Sequence, residues 1–445
     1  MQFHGLLLLS LINIQRSSAV KFGIQSWGSE GDNRPLLALA AGLSAAGHEV
    51  DLVISSIEGQ NYSDHAERIG IRLRQTRSLN YSTEELQNMA KQVIAQRNSL
   101  SQFRSVLDHL FNPLIEDIFR ESKRLSAISD AVIGHFAVYP LSIAAESARI
   151  PHITVTTTPS VVPSASLRHP GIPWMGKKVN SLIWKAGSML ISRIITDDVN
   201  RMRKSEGLAF KKNTFSSMIE SRLLNLVQAS PQLVDRAPDW GSHNRLSGNL
   251  TLPCESMDQS LPEKVEKFLR EGPPPLFVSF GSMMVFEPCN SKTIQLTAAA
   301  AVDTGFRAII QYDGLIAPHI LPGHDILLVG KMPHELIVPR CCGIVHHGGA
   351  GTSHTAVRSG VPSIVVMFAV DQFYWGNLLT EKGVAAAAIK RRKLTRRKLA
   401  DAMLKLKSNP LFKMNSARIG SRLKTEDGVS RAVDIIEEII QKHDV

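Results

Sequence analysis

The chain has 445 residues, 43% of them apolar and 20% charged, which is material for two globular domains of about 200 residues each. No stretch approaches the roughly 20 apolar residues that span a bilayer, which argues against a helical membrane protein. A net charge of +11 favours acidic partners. The four cysteines (Cys254, Cys289, Cys341, Cys342) form neither a disulfide framework nor a C-x-x-C spacing, and so predict reduced thiols in a cytoplasmic compartment.

Residues 1–20 read as an N-terminal extension. Their short apolar centre lacks the early positive charges of a signal peptide; secretion stays the alternative. The first domain, 21–237, opens on the strand AVKFGIQSW. A loop, GSEGDNRP, leads into a helical apolar stripe, Leu36, Leu37, Leu39, Ala40 and Leu43, which Gly47 stops before the strand HEVDLVIS. Strand, helix, glycine stop and strand make a βαβ unit, so the sheet is expected to be parallel. DAVIGHF and PHITVTTTP repeat the unit around the helix PLSIAAESARI, and LLNLVQASPQL continues it. From 238 to 275, repeated prolines and few apolar periods predict a linker with one short helix near Glu263 to Arg270. A second α/β set, 276–425, contains PLFVSFGSM, a helix from about Lys292 to Thr304, FRAIIQY, DILLVG, CGIVHH and SIVVMF. The end of the chain, 426–445, is an amphipathic helix expected to pack near the domain interface. The fold class is α/β: two doubly wound, Rossmann-like domains facing across a cleft, with ligands at the carboxyl ends of the strands.

Two turns carry the first functional signal. HHGGAGT, 346–352, separates a strand from the helix-compatible stretch Thr352 to Arg358, so free backbone N–H groups and a helix dipole converge there. Such a spot suits an anion, most often a phosphate. In SFGSM, 279–283, Gly281 and Ser282 offer backbone and hydroxyl donors, and the two turns together suggest a diphosphate held from two sides. Asp32 has two readings, the cap of a helix starting at Pro35 and a general base at the floor of the cleft. Gly28 and Gly31 do not make a G-x-G-x-x-G fingerprint, which argues against a dinucleotide oxidoreductase.

The order of GSEGDNRPLLALAAGLSAAGHEV, FVSFGSM and PHELIVPRCCGIVHHGGAGTSHTAVRSGVPSIVVMFAVDQFYWGNLL resembles the GT-B glycosyltransferases of family 1. Within that family it is similar to the branch of sterol glucosyltransferases and antibiotic (macrolide, glycopeptide) glycosyltransferases, from about residue 21 to the end. The resemblance implies an inverting, metal-independent enzyme that moves a hexose, most simply glucose from UDP-glucose, to a hydroxyl of a lipophilic acceptor such as a sterol, polyketide or phenolic. It implies that His346 binds the donor diphosphate, with His347, Gly348, Gly349, Ala350, Gly351 and Thr352 completing the cradle. With no D-x-D for a metal clamp, the imidazole and the helix N-terminus are expected to supply the positive charge. Asp371 and Gln372 match the pair that bonds the sugar hydroxyls, Asn377 touches diphosphate or sugar, and Met332 and Pro333 meet the base. Asp32 matches the general base. No cofactor is expected, the UDP-sugar being a co-substrate. Glu30 stands where the family carries Arg, and this extra carboxylate is expected to raise the Asp32 pKa or to alter acceptor charge preference. Residues 75–230, where the family recognises its acceptor, match only in general pattern; His135, Phe136 and Trp174 are the candidates, each also readable as a loop or core residue.

The run KRRKLTRRK, 390–398, reads as an anionic-membrane contact, a nucleic-acid contact or the solvated start of a helix. It has no interleaved aromatics, and no recognition motif supports a nucleic-acid partner. The second reading of the whole chain is a sugar-nucleotide-binding protein of the same fold without transferase activity. The intact set of Asp32, His346, Asp371 and Gln372 speaks against it.

Overall fold

The computed structural model describes residues 19–443 apart from 80, 83, 86, 87, 90, 91, 94, 95, 97, 98, 170, 171, 173, 220, 253–259, 285–289 and 313–324. Most of the extension 1–20, part of the stretch 238–275, Cys254 and Cys289 lie outside these residues.

Seven strands build the first sheet: β1 (Lys21–Gly28), β2 (Glu49–Ser56), β3 (Arg72–Gln75), β4 (Ala131–His135), β5 (His152–Thr156), β6 (Leu224–Val227) and β7 (Asn244–Leu246). Six build the second: β8 (Leu276–Ser279), β9 (Ala308–Gln311), β10 (Ile326–Val329), β11 (Gly343–His346), β12 (Ser363–Met367) and β13 (Ala385–Lys390). Helices cover both faces, so the central strands are buried throughout and read as apolar runs. Every strand pair is parallel, in the orders β3-β2-β1-β4-β5-β6-β7 and β10-β9-β8-β11-β12-β13. The order reverses once in each sheet, between β1 and β4 and between β8 and β11. There the connections leave neighbouring strands for opposite faces, and a crevice opens at the strand ends.

β7 falls inside the stretch 238–275. Its three residues, Asn-Arg-Leu, are too few and too polar to show an apolar period. The last helix, Gly428–Gln441, starts at Asp427, whose carboxylate accepts the Val429 and Ser430 N–H groups. Its Ala432, Val433, Ile435, Ile436 and Ile440 join Leu36, Leu37 and Leu43 in the core of the first domain. Burying each of those isoleucines contributes about 1.5–3 kcal/mol. The chain end thus crosses back from the second sheet to close the first.

The two halves meet in a mixed apolar cluster in which Val227, Leu233 and Leu246 pack with Val365, Trp375 and Leu379. Polar contacts join them as well. The Ser230 N–H donates to His354 Nε2 at 3.2 Å, and Lys331 Nζ lies 2.6 Å from Glu30 Oε2. Among the described residues no helix is long and apolar enough to cross a membrane.

Candidate active site

The first switch point is built from the ends of β1 and β4. After Gly28 the chain enters the helix Glu30–Ala45, capped by Ser29. Asp32 is the third residue of that helix; its Oδ2 accepts the Ser29 N–H and the Ser29 hydroxyl, both at 2.9 Å. This is a capping box. Asp32 therefore does not cap a helix beginning at Pro35. The proline sits inside the helix near its start, where one forgone backbone bond is tolerated. Gly28 makes the arrangement possible, because at its φ of +139° a Cβ would stand 2.4 Å from Asp32 Oδ2.

His135 ends β4 and is 3% exposed. Its Nδ1 accepts the Ala137 N–H at 3.4 Å, so the ring proton sits on Nε2, which faces Asp32 Oδ1 at 3.5 Å. Burial alone would push the Asp32 carboxyl up. The approach of His135 Nε2 and the Ser29 donors outweigh it and hold the group below the usual carboxylate range. The expectation that Glu30 raises this pKa is not met. Glu30 turns instead to Lys331 across the cleft and lies 3.6 Å from Arg34.

The second switch point brings SFGSM and HHGGAGT together, since β8 and β11 are neighbours with Ser279 opposite His346. His346 is fully buried; its Nδ1 accepts the Gly348 N–H at 3.1 Å, and its Nε2 has no partner among the described residues. Burial, with His347 and His334 nearby, lowers its pKa to about 3. The ring is thus a neutral N–H donor in the free protein. His347 is a wedge between the turns. A Cβ on Gly281 would lie 2.9 Å from its Cε1 and one on Gly349 2.3 Å from its Nε2, so only glycine admits the ring on both sides. The helix Ala350–Arg358 has Gly349 as its cap and no side-chain acceptor. Its first backbone bond runs from the Ser353 N–H to the Gly349 carbonyl, which leaves the Ala350, Gly351 and Thr352 N–H groups for a ligand. The Ser282 side chain lies outside the described residues.

Asp371 caps the helix Gln372–Glu381 that follows β12. The preceding Val370 is held at φ +50°, a strained setting for a β-branched residue. Burial and then the charge of Asp32 push the Asp371 carboxyl up to about 7. Gln372 spends its Oε1 on the Phe368 and Ala369 N–H groups at 2.7 and 3.2 Å. That leaves its amide nitrogen as the group able to reach a hydroxyl. Asn377 is exposed on the same helix.

Met332 and Pro333 follow β10. The Met332 N–H donates to Gln311 Oε1 at 3.3 Å, and His334 Nε2 lies 3.3 Å from the same oxygen. Gln311, at the end of β9, is a positioning residue that the strand reading of FRAIIQY did not single out. Lys331 was missed as well, because its partner lies 301 residues away. Phe136 is half-buried beside His135, ring centroids 4.5 Å apart. Trp174 is exposed just ahead of the helix Lys177–Ser205.

Asp371 gives a stability prediction with a definite sign. The folded state keeps its proton up to about pH 7, whereas the unfolded chain releases it near the ordinary value of about 4. The protonated carboxyl contributes stability that is fully present below the unfolded pKa and lost as pH rises through about 7. Asp371→Asn is therefore expected to melt like the wild type at the acid end of this window and at a higher temperature above its upper limit. Thermal melts across the window check this; an equal shift at both ends rules out the assignment.

Comparison with known proteins agrees with this geometry. Residues 294–439 match the family "Erythromycin biosynthesis protein CIII-like, C-terminal domain". The chain is 26% identical over 432 residues to "Sterol 3-beta-glucosyltransferase UGT80B1" of Arabidopsis thaliana, covering 93% of this chain and 67% of that protein. It is 25% identical over 440 residues to a "Sterol 3-beta-glucosyltransferase" of Saccharomyces cerevisiae (strain YJM789), covering 95% of this chain and 35% of the yeast protein. The chain thus spans two thirds of the plant relative and about a third of the yeast one. Among solved structures, the glycotransferase of kitacinnamycin superposes with a TM-score of 0.68 at 18% identity, over 95% of this chain and all of that one. The glycosyltransferase VinC in complex with DTDP gives 0.65 at 18% identity over the same shares. The chain thus has the two-domain GT-B fold of these glycosyltransferase structures, and along nine-tenths of its length its sequence is similar to the sterol glucosyltransferases.

Proposed function

We propose that the protein transfers a hexose, most simply glucose from UDP-glucose, to a hydroxyl of a lipophilic acceptor with inversion at the anomeric carbon. The observation that carries this reading is the cradle at the end of the second sheet, where the buried His346 Nε2 has no partner among the described residues and the start of the helix Ala350–Arg358 has no side-chain acceptor, together with the Asp32–His135 pair at the end of the first sheet. In the proposed reaction the acceptor oxygen attacks the anomeric carbon from the face opposite the diphosphate. The bond from that carbon to the phosphate oxygen breaks and its electron pair leaves with the nucleoside diphosphate. The acceptor proton passes to Asp32 as the new bond forms, and His135 Nε2–H keeps the receiving carboxylate oriented.

The departing charge meets the free N–H groups at the start of the helix Ala350–Arg358 and the Nε2–H of His346, so the reading needs no metal and no cofactor. Asp371 and the Gln372 amide nitrogen bind sugar hydroxyls, and the turn carrying Met332 and Pro333 faces the base. The names of the sequence relatives support glucose and a sterol hydroxyl, and the DTDP-bound neighbour supports a nucleoside diphosphate in this cleft. Cys341 and Cys342 are free thiols pushed up to about 12 and about 11 by burial, which fits a reducing compartment.

The test is incubation with UDP-glucose or TDP-glucose and a pooled panel of sterols, macrolides and flavonoids, read by mass spectrometry for an added hexose. A glycosylated sterol supports the full reading. A glycosylated macrolide or flavonoid replaces the acceptor class, and nucleotide binding without product from either donor favours a binding protein.

A further inference from the structure

The longest helix among the described residues, Lys177–Ser205, carries an apolar face that none of the described residues covers. Val179, Leu182, Met189 and Leu190 are exposed, Leu182 at 63% and Met189 at 64%. The rest of the helix does what packing requires: Ile195, Val199 and Met202, in its C-terminal part, are buried in the core around Phe111, and Trp184, Ile191 and Ile194 pack against that core. Lys178, Leu182, Lys185, Met189 and Arg193 recur every three or four residues, so cations and apolar side chains share one exposed face. From 178 to 193 that face is about 22 Å long. Trp174 and Met175, 39% and 56% exposed, extend it at the N-terminal end.

The charge of this face is one-sided. Between Trp174 and Arg193 there are four basic residues, Lys177, Lys178, Lys185 and Arg193, and no acidic one. Among the described residues no ion pair engages Lys178, Lys185 or Arg193. The run 390–398, the sequence-based choice for a membrane contact, differs: Arg392 donates to the Gln96 carbonyl, Arg396 pairs with Asp303, and Arg397 lies 3.9 Å from Asp401. A two-fold contact through this face would set the cations of one copy against those of the other, with no acidic residue of the face to offset them.

The helix also starts at the right end of the molecule. It follows the loop after β5, and Asn180 ties that loop down through the Ser164 and Leu167 carbonyls. Arg168 in the loop reaches Glu381 at 2.8 Å, at the far end of the helix that follows Asp371. The exposed face therefore begins after a loop that leaves the carboxyl edge of the first sheet, the edge that carries His135.

We propose that the face of Lys178, Leu182, Lys185, Met189 and Arg193 docks on an anionic phospholipid bilayer, with the apolar side chains entering the headgroup boundary and the cations meeting lipid phosphates and carboxylates. This does not depend on the transferase reading, because the readout is binding. The full chain is floated with vesicles of phosphatidylcholine alone and of phosphatidylcholine mixed with phosphatidylserine.

The wild type is expected to float with the mixed vesicles and not with the neutral ones. Lys178→Glu with Lys185→Glu and Arg193→Glu is expected to weaken partitioning at least about 100-fold, and Leu182→Ser with Met189→Ser at least about tenfold. Both keep wild-type thermal stability and UDP binding, because the altered side chains are exposed and lie outside the nucleotide cradle. Lys393→Glu with Lys398→Glu is expected to float like the wild type. The proposal is overturned if the wild type does not float, if the patch variants float undiminished, or if only the Lys393/Lys398 variant loses binding. It is equally overturned if the wild type is a dimer that Leu182→Ser with Met189→Ser dissociates while vesicle binding is absent.

Discussion

Replacing Asp32 with Asn is expected to lower kcat/KM about 10²–10⁴-fold, the range set by losing a positioned general base, while the fold stays intact. The two effects separate because Asp32 has two jobs on different oxygens. Oδ2 receives the Ser29 donors of the capping box, and Oδ1 faces His135. An asparagine oxygen can still accept from Ser29, so the cost to the helix stays within about 0.5–2 kcal/mol. What it cannot do is take a proton. The pH profile gives an independent check. Because His135 and Ser29 hold the Asp32 carboxyl low, its own titration lies below the neutral range. An acid limb of kcat/KM near pH 7 would belong to Asp371, raised to about 7. Asp371→Asn is expected to remove that limb, and Asp32→Asn to lower the whole profile. A base with a depressed pKa is effective here because the proton moves only as the bond to the sugar forms. Steady-state kinetics with circular dichroism checks the pair. Full activity in Asp32→Asn would sink the base assignment.

The turns that form the site were legible in the chain because both are short glycine-bearing breaks between buried strands, and parallel strands buried on both faces announce themselves as apolar runs. Val345 and Ile364, on either side of the helix Ala350–Arg358, are fully buried in the way their neighbours in sequence suggest. Edge strands gave no such signal. β3, Arg-Leu-Arg-Gln, is half-solvated and polar, and β7, Asn-Arg-Leu, is largely buried but only three residues long, so neither shows a period. The helix Lys177–Ser205 was unreadable for the opposite reason. Leu182, Met189 and Leu190 add apolar residues on a face that is not the core, and they blur the stripe of Ile195, Val199 and Met202. Pairings across the fold are a third class. Asp32 and His135 meet only because β1 and β4 are neighbours in the sheet, and Glu30 finds Lys331 only because the domains face each other. Local pattern carries neither fact.

The charge state of His346 depends on burial, and it leads to the second large effect. His346→Ala is expected to lower kcat/KM about 10²–10³-fold, as for loss of one preorganised donor to a developing negative charge. It should also weaken UDP binding in calorimetry. The free protein keeps Nε2–H buried with no acceptor among the described residues, and a stranded donor of this kind costs about 1–3 kcal/mol. A diphosphate oxygen arriving there recovers that penalty, and recovers more as charge builds on the leaving group, which is differential stabilisation of the transition state. The interaction need not be ionic. Carrying the ring from a pKa of about 3 to protonation at neutral pH requires about 5 kcal/mol of added anion interaction, more than one hydrogen bond to a charged group supplies. The expected state of the UDP complex at pH 7 is thus a neutral ring with its proton on Nε2 and Nδ1 still accepting the Gly348 N–H. Nitrogen-15 spectra of histidine-labelled protein distinguish the cases: one protonated-type and one acceptor-type nitrogen for the neutral ring, two protonated-type nitrogens for the cation. A cation would mean that the site gathers positive charge on binding. A neutral ring would mean that the cradle works by aligned N–H dipoles, His346 acting together with the start of the helix Ala350–Arg358.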